Sequence, residues 1–301
     1  MMLVVVTPVK NESENLVNLS QIILRQTQRP NFWLIIDDGS TDDTPHIIAN
    51  LEKKYGFVKG FSLQTKDVNY DPIFRYGAVV RQGVEHALDM YSDLEFLGIL
   101  DADIRLKMDY YEKILNSFRS NAQLGIASGL YIVSNGKAPN HLRILNDTIC
   151  GGAMVFRKKC LMEIDGFPAC PSPDTAAIIK AVNRGWLLGV VTSVYAFHPR
   201  VNMSRRKFVK LGLSRHVLGL HPASALLNGF LQPLKTFSPN PLGFTVGYFA
   251  GALMQLPKIK DEEISEYFRR RFYLSVYKHI KRIITLRKIE MDPIRCATIK
   301  L

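Results

Sequence analysis

The sequence predicts an α/β protein, a mainly parallel sheet flanked by helices, extended at its C-terminus by helices suited to a membrane surface. Three observations carry this expectation. Short β-rich apolar runs alternate with helical patterns from Leu3 to about Leu100. Those strands end in polar clusters, and the basic excess of the chain lies wholly in its last third. Parallel neighbours need a long crossover, so alternation of strand and helix implies a parallel sheet covered on both faces.

The elements follow in order. "LVVVT" opens as a strand, "SENLVNLSQIILRQ" as a helix, and then come "FWLIID", "TPHIIANLEKKY", "FVKGFSL", a helix around Gly77 to Met90, and "LEFLGILD". Beyond Asp101 the connections lengthen and the strands become mixed: "LGIASGLYIV", "CGGAMVFRKKCLMEIDGF", a helix from about Thr175 to Arg184, and "LLGVVTSVYAFHP". A second regime begins near Asn202, which divides the chain into residues 1–200 and 201–301.

With 301 residues the chain is long enough to bury a sizeable core. Its formal charge is +12, with 20 Lys and Arg against 21 Asp and Glu up to His198, and 19 against 6 from Pro199 onward. Such asymmetry fits a basic face meeting something anionic: lipid head groups, phosphorylated ligands or nucleic acid. Nucleic acid is disfavoured, because the basic excess coincides with the most apolar segments and no reading module accompanies it. Cys150, Cys160, Cys170 and Cys296 are too sparse for a disulfide framework and lack zinc-site spacing, so they read as reduced thiols. The opening "MMLVVVTPVKNE" carries no basic leader or cleavage pattern, which makes it a first strand and the expected compartment the cytoplasm.

Ligands of open parallel sheets bind at the carboxyl ends of the strands. Here those ends read "TPVKNE", "DDGSTDDT" and "DADI". Ser40 to Asp43 are explained by turn and capping chemistry, whereas Asp37 and Asp38, adjacent acids after a buried strand, need a partner or a ligand. In "ILDADI", strand alternation would place Asp101 and Asp103 on one side, two hard oxygen donors suited to Mg²⁺ or Mn²⁺.

Taken together, "VVVTPVKNESENL", "IIDDGSTDDT", "LDADI", "CGGAMVFRKKCLMEIDGF" and "SPDTAAIIKAVNRGW" resemble, in order and spacing, the inverting glycosyltransferases of family 2, which have the GT-A fold. The resemblance implies a nucleotide-diphosphate-sugar donor whose nucleotide is held by Thr7, Pro8, Glu12 and Asp38. It implies a donor-side basic residue at Arg81, and a D-x-D in which Asp103 is a metal ligand while Asp101, beside Ala102, contacts ribose or metal. His198 matches a position where some relatives bind the metal, and Gly151 and Gly152 would let backbone approach the donor sugar or the acceptor. Asp174 matches the catalytic base, with Pro173 where the family usually has Glu; proline at a helix start is tolerated. Arg205, Arg206 and Lys207 read either as a loop over the diphosphate or as the start of the basic surface. Other readings of the same residues are a sugar-nucleotide-forming nucleotidyltransferase, an aspartyl-phosphate phosphatase, or a non-catalytic nucleotide-sugar binding protein.

In the last third, "PNPLGFTVGYFAGALMQLP" is almost wholly apolar, and Gly243, Gly247 and Gly251 recur at a spacing that leaves a groove along a helix. Leu242 to Leu256 would span only about 22 Å as a helix, short of the roughly 30 Å hydrocarbon core. A basic amphipathic helix is expected from about Asp261 to Arg287, with Ile264, Tyr267, Phe268, Phe272, Val276, Ile280, Ile283 and Ile284 as its apolar stripe. Both segments together read as an interfacial anchor on the cytoplasmic face of a membrane, which would suit a lipid-linked or polyprenyl phosphate acceptor. The alternative is a helical subdomain that packs on the core or across a homodimer.

Overall fold

A computed structural model describes residues 1–63, 73–134, 142–145, 148–199, 204–236, 238–270 and 298–301. The chain runs β1 (Leu3–Val9), α1 (Ser13–Leu24), β2 (Phe32–Asp37), α2 (Thr44–Lys54), β3 (Val58–Ser62), α3 (Arg75–Met90) and β4 (Phe96–Leu100). It continues with β5 (Arg105–Leu106), α4 (Tyr110–Ser120), β6 (Leu124–Ser134), β7 (Leu142–Leu145), β8 (Ala153–Arg157), α5 (Lys158–Glu163), α6 (Pro173–Asn183) and β9 (Leu187–His198). Helices α7 (Arg205–Val217), α8 (Pro222–Thr236) and α9 (Leu242–Leu253) follow, and β10 (Thr298–Lys300) ends the described chain.

The strands form one mixed sheet in the order β10-β9-β6-β8-β4-β1-β2-β3, with β5 on β9 and β7 on β6. β1 pairs in parallel with β2 and β4, and β2 with β3. β1, β2 and β4 are buried along almost their whole length on both faces, so these runs are continuously apolar rather than alternating. β8 runs antiparallel to both β4 and β6. That reversal decides the site, because it sets the residues preceding β8 beside the end of β4: the Asp101 N–H donates to the Gly152 carbonyl at 2.8 Å. Trp33, Tyr110, Tyr111 and Phe118 are among the large side chains filling one side of the sheet. On the other side α3 lies close because Gly83 has no side chain; a Cβ there would come within 2.6 Å of Val6. As a crossover helix, α3 begins at the carboxyl edge of the sheet and so presents its first residues there.

The chain divides into two compact units: Met1–Ala169 with Pro173–Val201 and Ala297–Leu301, and Cys170–Ser172 with Asn202–Cys296. In the second unit α7 and α9 pack along the glycine spacing noted above. Arg205 and Val209 stand at Gly243, the Val209 carbonyl at Gly247, and the His216 ring 3.2 Å from a Cβ built on Gly251. Gly212 of α7 answers from the other side, facing the backbone of Phe244 and Tyr248. Side chains at Gly243, Gly247 and Gly212 would collide with backbone, and one at Gly251 would press on the His216 side chain, so the glycines are what allows the approach. Tyr248 donates to the Leu220 carbonyl at 2.5 Å, and Arg215 stacks over Phe268 at 4.8 Å. Residues 262–270 are helical, as the basic amphipathic helix requires at its start. Its continuation from 271, with Phe272, Val276, Ile280, Ile283 and Ile284, lies outside the described residues, as does Cys296. Cys150, Cys160 and Cys170 are free thiols, all buried.

Candidate active site

The carboxyl ends of β1, β2 and β4 and the start of α3 enclose a cavity of about 260 Å³. Six of the residues singled out from the sequence line it: Pro8, Glu12, Asp38, Asp101, Ala102 and Asp103. Lys10 and Tyr76 line it too.

The loops after β1 and β2 are tied into one platform. Asn11, held at φ 54°, accepts the Thr41 N–H at 2.7 Å, and its own N–H donates to the Ser40 hydroxyl at 2.8 Å. Asp42 accepts from Ser13 N–H at 3.2 Å and Thr44 N–H at 3.0 Å, joining the first turns of α1 and α2. Hydrogen bonding, from Thr44 first and Ser13 after it, draws its carboxyl down to about 2.

The two adjacent acids divide their work. Asp37 is buried and accepts from the Ser40 N–H at 3.0 Å and the Ser40 hydroxyl at 2.5 Å, so it closes the turn that Gly39 makes at φ 70°. Asp38 faces the cavity, where Arg75 Nε lies 2.7 Å from Oδ1 and Lys10 Nζ 3.5 Å from Oδ2. A carboxylate this withdrawn from water needs such counter-charge.

At the end of β4, Asp101 to Asp103 form a turn and not a continuation of the strand, with Ile104 N–H donating to the Asp101 carbonyl at 3.2 Å. Strand alternation therefore does not place the two carboxylates; the turn sends them to different partners. Asp101 accepts from the Tyr76 hydroxyl at 2.6 Å, and its second oxygen occupies the space left by Gly152, 2.6 Å from where a Cβ would sit. Withdrawal from water raises the Asp101 carboxyl to about 6; the Tyr76 hydrogen bond opposes that, the charges of Asp103 and Asp174 add to it, and His198 counters it.

Asp103 meets His198 instead, Oδ2 to Nε2 at 2.9 Å, and the other ring nitrogen of His198 lies 3.2 Å from the Tyr131 hydroxyl. β5 sets this pairing, because Arg105 is in register with Phe197 on β9. Burial above all, with the nearby Cys150 and the acids of the site, pushes the Tyr131 phenol up to about 12. Among the described residues no group of three or more His, Cys, Asp and Glu stands assembled as a metal site. The Asp103–His198 pair nevertheless fits an octahedral divalent ion, whose adjacent ligands lie about 3 Å apart when each bond is about 2.1 Å.

Asp174 lies in the first turn of α6, which Pro173 opens after Ser172 takes a left-handed φ of 51°. Gly151 is directly against it: a Cβ there would lie 2.9 Å from the Asp174 Cγ. Consecutive glycines thus make room for two carboxylates, Gly151 for Asp174 and Gly152 for Asp101.

Two expected residues are placed differently. Thr7 is fully buried, its hydroxyl accepting from the Trp33 indole N–H at 2.9 Å, and it does not line the cavity. Arg81 is exposed and paired with Glu85 at 2.8 Å. The α3 cation that pairs with the cavity-lining Asp38 is Arg75, about 9 Å nearer the helix start at 1.5 Å per residue. The signal for Arg75 and Tyr76 was present in "FRYGAVV", since the first turn of a crossover helix is the part that reaches the ligand edge. Tyr131 had no sequence signal, because only the β6–β9 pairing brings it to His198.

Residues 4–186 match the model of the family "Glycosyl transferase family 2". No curated protein matches the chain. Among solved structures, TarS 1–349 of S. aureus in complex with UDP is 18% identical, with a TM-score of 0.50, over 79% of this chain and 73% of that one. The mannosyltransferase PcManGT from Pyrobaculum calidifontis, in complex with GDP-Man and Mn²⁺, is 15% identical with a TM-score of 0.52, over 98% of this chain and 85% of that one. GalNAc-T7 with UDP, GalNAc and Mn²⁺ is 14% identical with a TM-score of 0.52, over 67% and 43%. At such identities these likenesses speak for the fold, while the family match covers about three-fifths of the chain. The protein therefore belongs to glycosyl transferase family 2 and is a glycosyltransferase of the GT-A fold.

Proposed function

We propose that this glycosyltransferase transfers a sugar from a nucleotide-diphosphate-sugar donor to a hydroxyl or phosphate acceptor, in one inverting displacement aided by Mg²⁺ or Mn²⁺. The observation that carries the reading is the two-glycine step, which holds the Asp174 carboxylate on one side and Asp101 of the D-x-D turn on the other. Pro8, Glu12 and Asp38 would hold base and ribose, with Thr7 stiffening the strand beneath them. Arg75 and Lys10 hold Asp38 in place. Arg81, expected near the donor, is assigned no role in this reading.

Asp103 and His198 would bind the metal, with Asp101 and Ala102 beside the ribose and diphosphate. When bound, the divalent ion supplies Lewis-acid stabilisation of charge on the leaving diphosphate. The Mn²⁺ in the PcManGT and GalNAc-T7 structures supports a divalent ion as the cofactor. Gly152 leaves the space in which the Asp101 carboxylate sits beside the donor. Asp174 then takes the proton of the acceptor hydroxyl as its oxygen bonds to the anomeric carbon and the bond from that carbon to the diphosphate oxygen breaks. Attack opposite the leaving group inverts the anomeric centre.

The acceptor is proposed to be lipid-linked, a polyprenyl phosphate or its like, and the enzyme to work as a peripheral protein on the cytoplasmic face of a membrane. The basic, apolar last third supports this. Among the described residues no helix is long and apolar enough to cross a membrane.

The test is Asp174→Asn, assayed for transfer and for Mn²⁺-dependent binding of the nucleoside diphosphate. Transfer should disappear while binding persists, and wild-type product should carry the anomeric configuration opposite to the donor's. Full transfer by the variant, or a retained configuration, would overturn the mechanism.

A further inference from the structure

Helix α9 has two unlike faces. Gly243, Gly247 and Gly251 turn inward onto α7, while Leu242, Val246, Phe249 and Leu253 are exposed, Leu253 to 86%. Steps of four, three and four residues keep these four side chains within about 60° around the helix, at 100° per residue. No charged residue interrupts the sequence from Leu242 to Leu256. Met254 extends the exposed apolar surface, as do Leu226 and Leu227 of α8, which follow the Ala225 whose carbonyl accepts from Thr245 of α9 at 2.9 Å. A helix whose outer face is as apolar as its inner one is not built to face water alone.

Cations bracket the stripe. Arg205 lies against Gly243 at the start of α9, followed by the exposed Arg206 and Lys207. Past the other end come the exposed Lys258 and Lys260, and Lys258 is near enough to His216, opposite Gly251, to press its imidazole toward the neutral form, although burial does more. The span from Pro199 onward holds 19 Lys and Arg against 6 Asp and Glu. A second copy seated on the stripe would bring like charge against like. An anionic lipid surface supplies the opposite charge together with an apolar layer.

We infer that α9 lies flat in the interface of an anionic membrane, with Leu242, Val246, Phe249 and Leu253 in the acyl boundary and Arg205, Arg206, Lys258 and Lys260 on head-group phosphates. At 12 residues, about 18 Å, the helix is too short to span the bilayer but long enough to lie along it. The inference rests on the membrane-surface reading proposed above and narrows it, naming α9 as the part of the last third that enters the interface and the four side chains that do so. Long basic side chains reach from helix flanks to phosphate while their stems stay on apolar surface.

The test is flotation of the full chain with phosphatidylcholine vesicles, with and without phosphatidylglycerol. The wild type should float with the anionic vesicles and be released by salt. The pair Val246→Asp with Leu253→Asp should lower the bound fraction about 10-fold or more, with an unchanged melting curve, since both side chains are exposed. Phe249→Trp gives a readout independent of that: its emission should shift to the blue on adding anionic vesicles. Flotation unaltered by the paired variant, or no shift at Trp, would overturn the role of α9 while leaving membrane association standing. No flotation of the wild type would overturn both. A wild-type dimer that the paired variant dissolves would make a second copy the occupant and would also overturn the inference.

Discussion

The Nε2 nitrogen of His198 stands 2.9 Å from the Asp103 carboxylate, across 95 positions of sequence, while Nδ1 faces the Tyr131 hydroxyl at 3.2 Å. In a neutral ring with its proton on Nε2, Nε2–H donates to Asp103 and Nδ1 accepts from the Tyr131 hydroxyl. Metal ligation at Nε2 needs the other tautomer, with Nδ1–H donating to the phenol oxygen. A hydroxyl both donates and accepts, so Tyr131 serves either state.

His198→Ala should therefore weaken Mn²⁺ binding by more than about 10-fold, and Tyr131→Phe by about 10-fold, as loss of an orienting partner does. Titration calorimetry with Mn²⁺ and a nucleoside diphosphate checks both. Equal Mn²⁺ affinity in wild type and His198→Ala would remove His198 from the metal site.

Gly151→Ala places a methyl group against Asp174. The carboxylate must move, and displacement of a reacting group by about 1 Å costs on the order of 100-fold in rate. The turnover number should fall while KM for the donor changes little. Gly152→Ala presses on Asp101 instead, so its loss should appear in donor and metal binding.

Asp42 gives the fold a dependence on acid. Its carboxyl lies at about 2 in the folded chain against 3.8 as the ordinary value, so its contribution to stability is complete above about 3.8 and is lost as the pH falls toward 2. Asp42→Asn should melt below the wild type at neutral pH, and the gap should narrow as the pH is lowered through that window. Thermal melts across that range provide the measurement.

Gly247→Val tests the α7–α9 contact. A side chain there meets the Val209 backbone, which has no rotamer to change, so the cost should be at least the 1–3 kcal/mol or so of an overpacked core. Melting should show it, and the Mn²⁺-dependent binding of nucleotide should change far less than the melt.

Much of the fold was legible in the sequence because parallel strands buried on both faces write themselves as continuous apolar runs, as "LVVV", "WLII" and "FLGIL" do. Pro8, Glu12, Asp38, Asp101, Ala102 and Asp103 were readable for the same reason: strand ends deliver polar residues to one edge, and their order resembled a family. Arg75 was missed in favour of Arg81 because resemblance located the helix but not the turn of it that reaches the cavity.

By itself, then, the sequence determined the α/β alternation, the acidic strand ends, the glycine-spaced apolar segment and the basic last third, all properties of local pattern. Only the tertiary structure decided that Asp37 closes a turn while Asp38 faces the cavity. It alone set Thr7 under Trp33, led the two D-x-D carboxylates to different partners, and turned the glycines of α9 inward and its leucines out. Each of these depends on which backbone lies next to which across tens of residues. Pairing register and close packing settle that, and periodicity along the chain does not encode it.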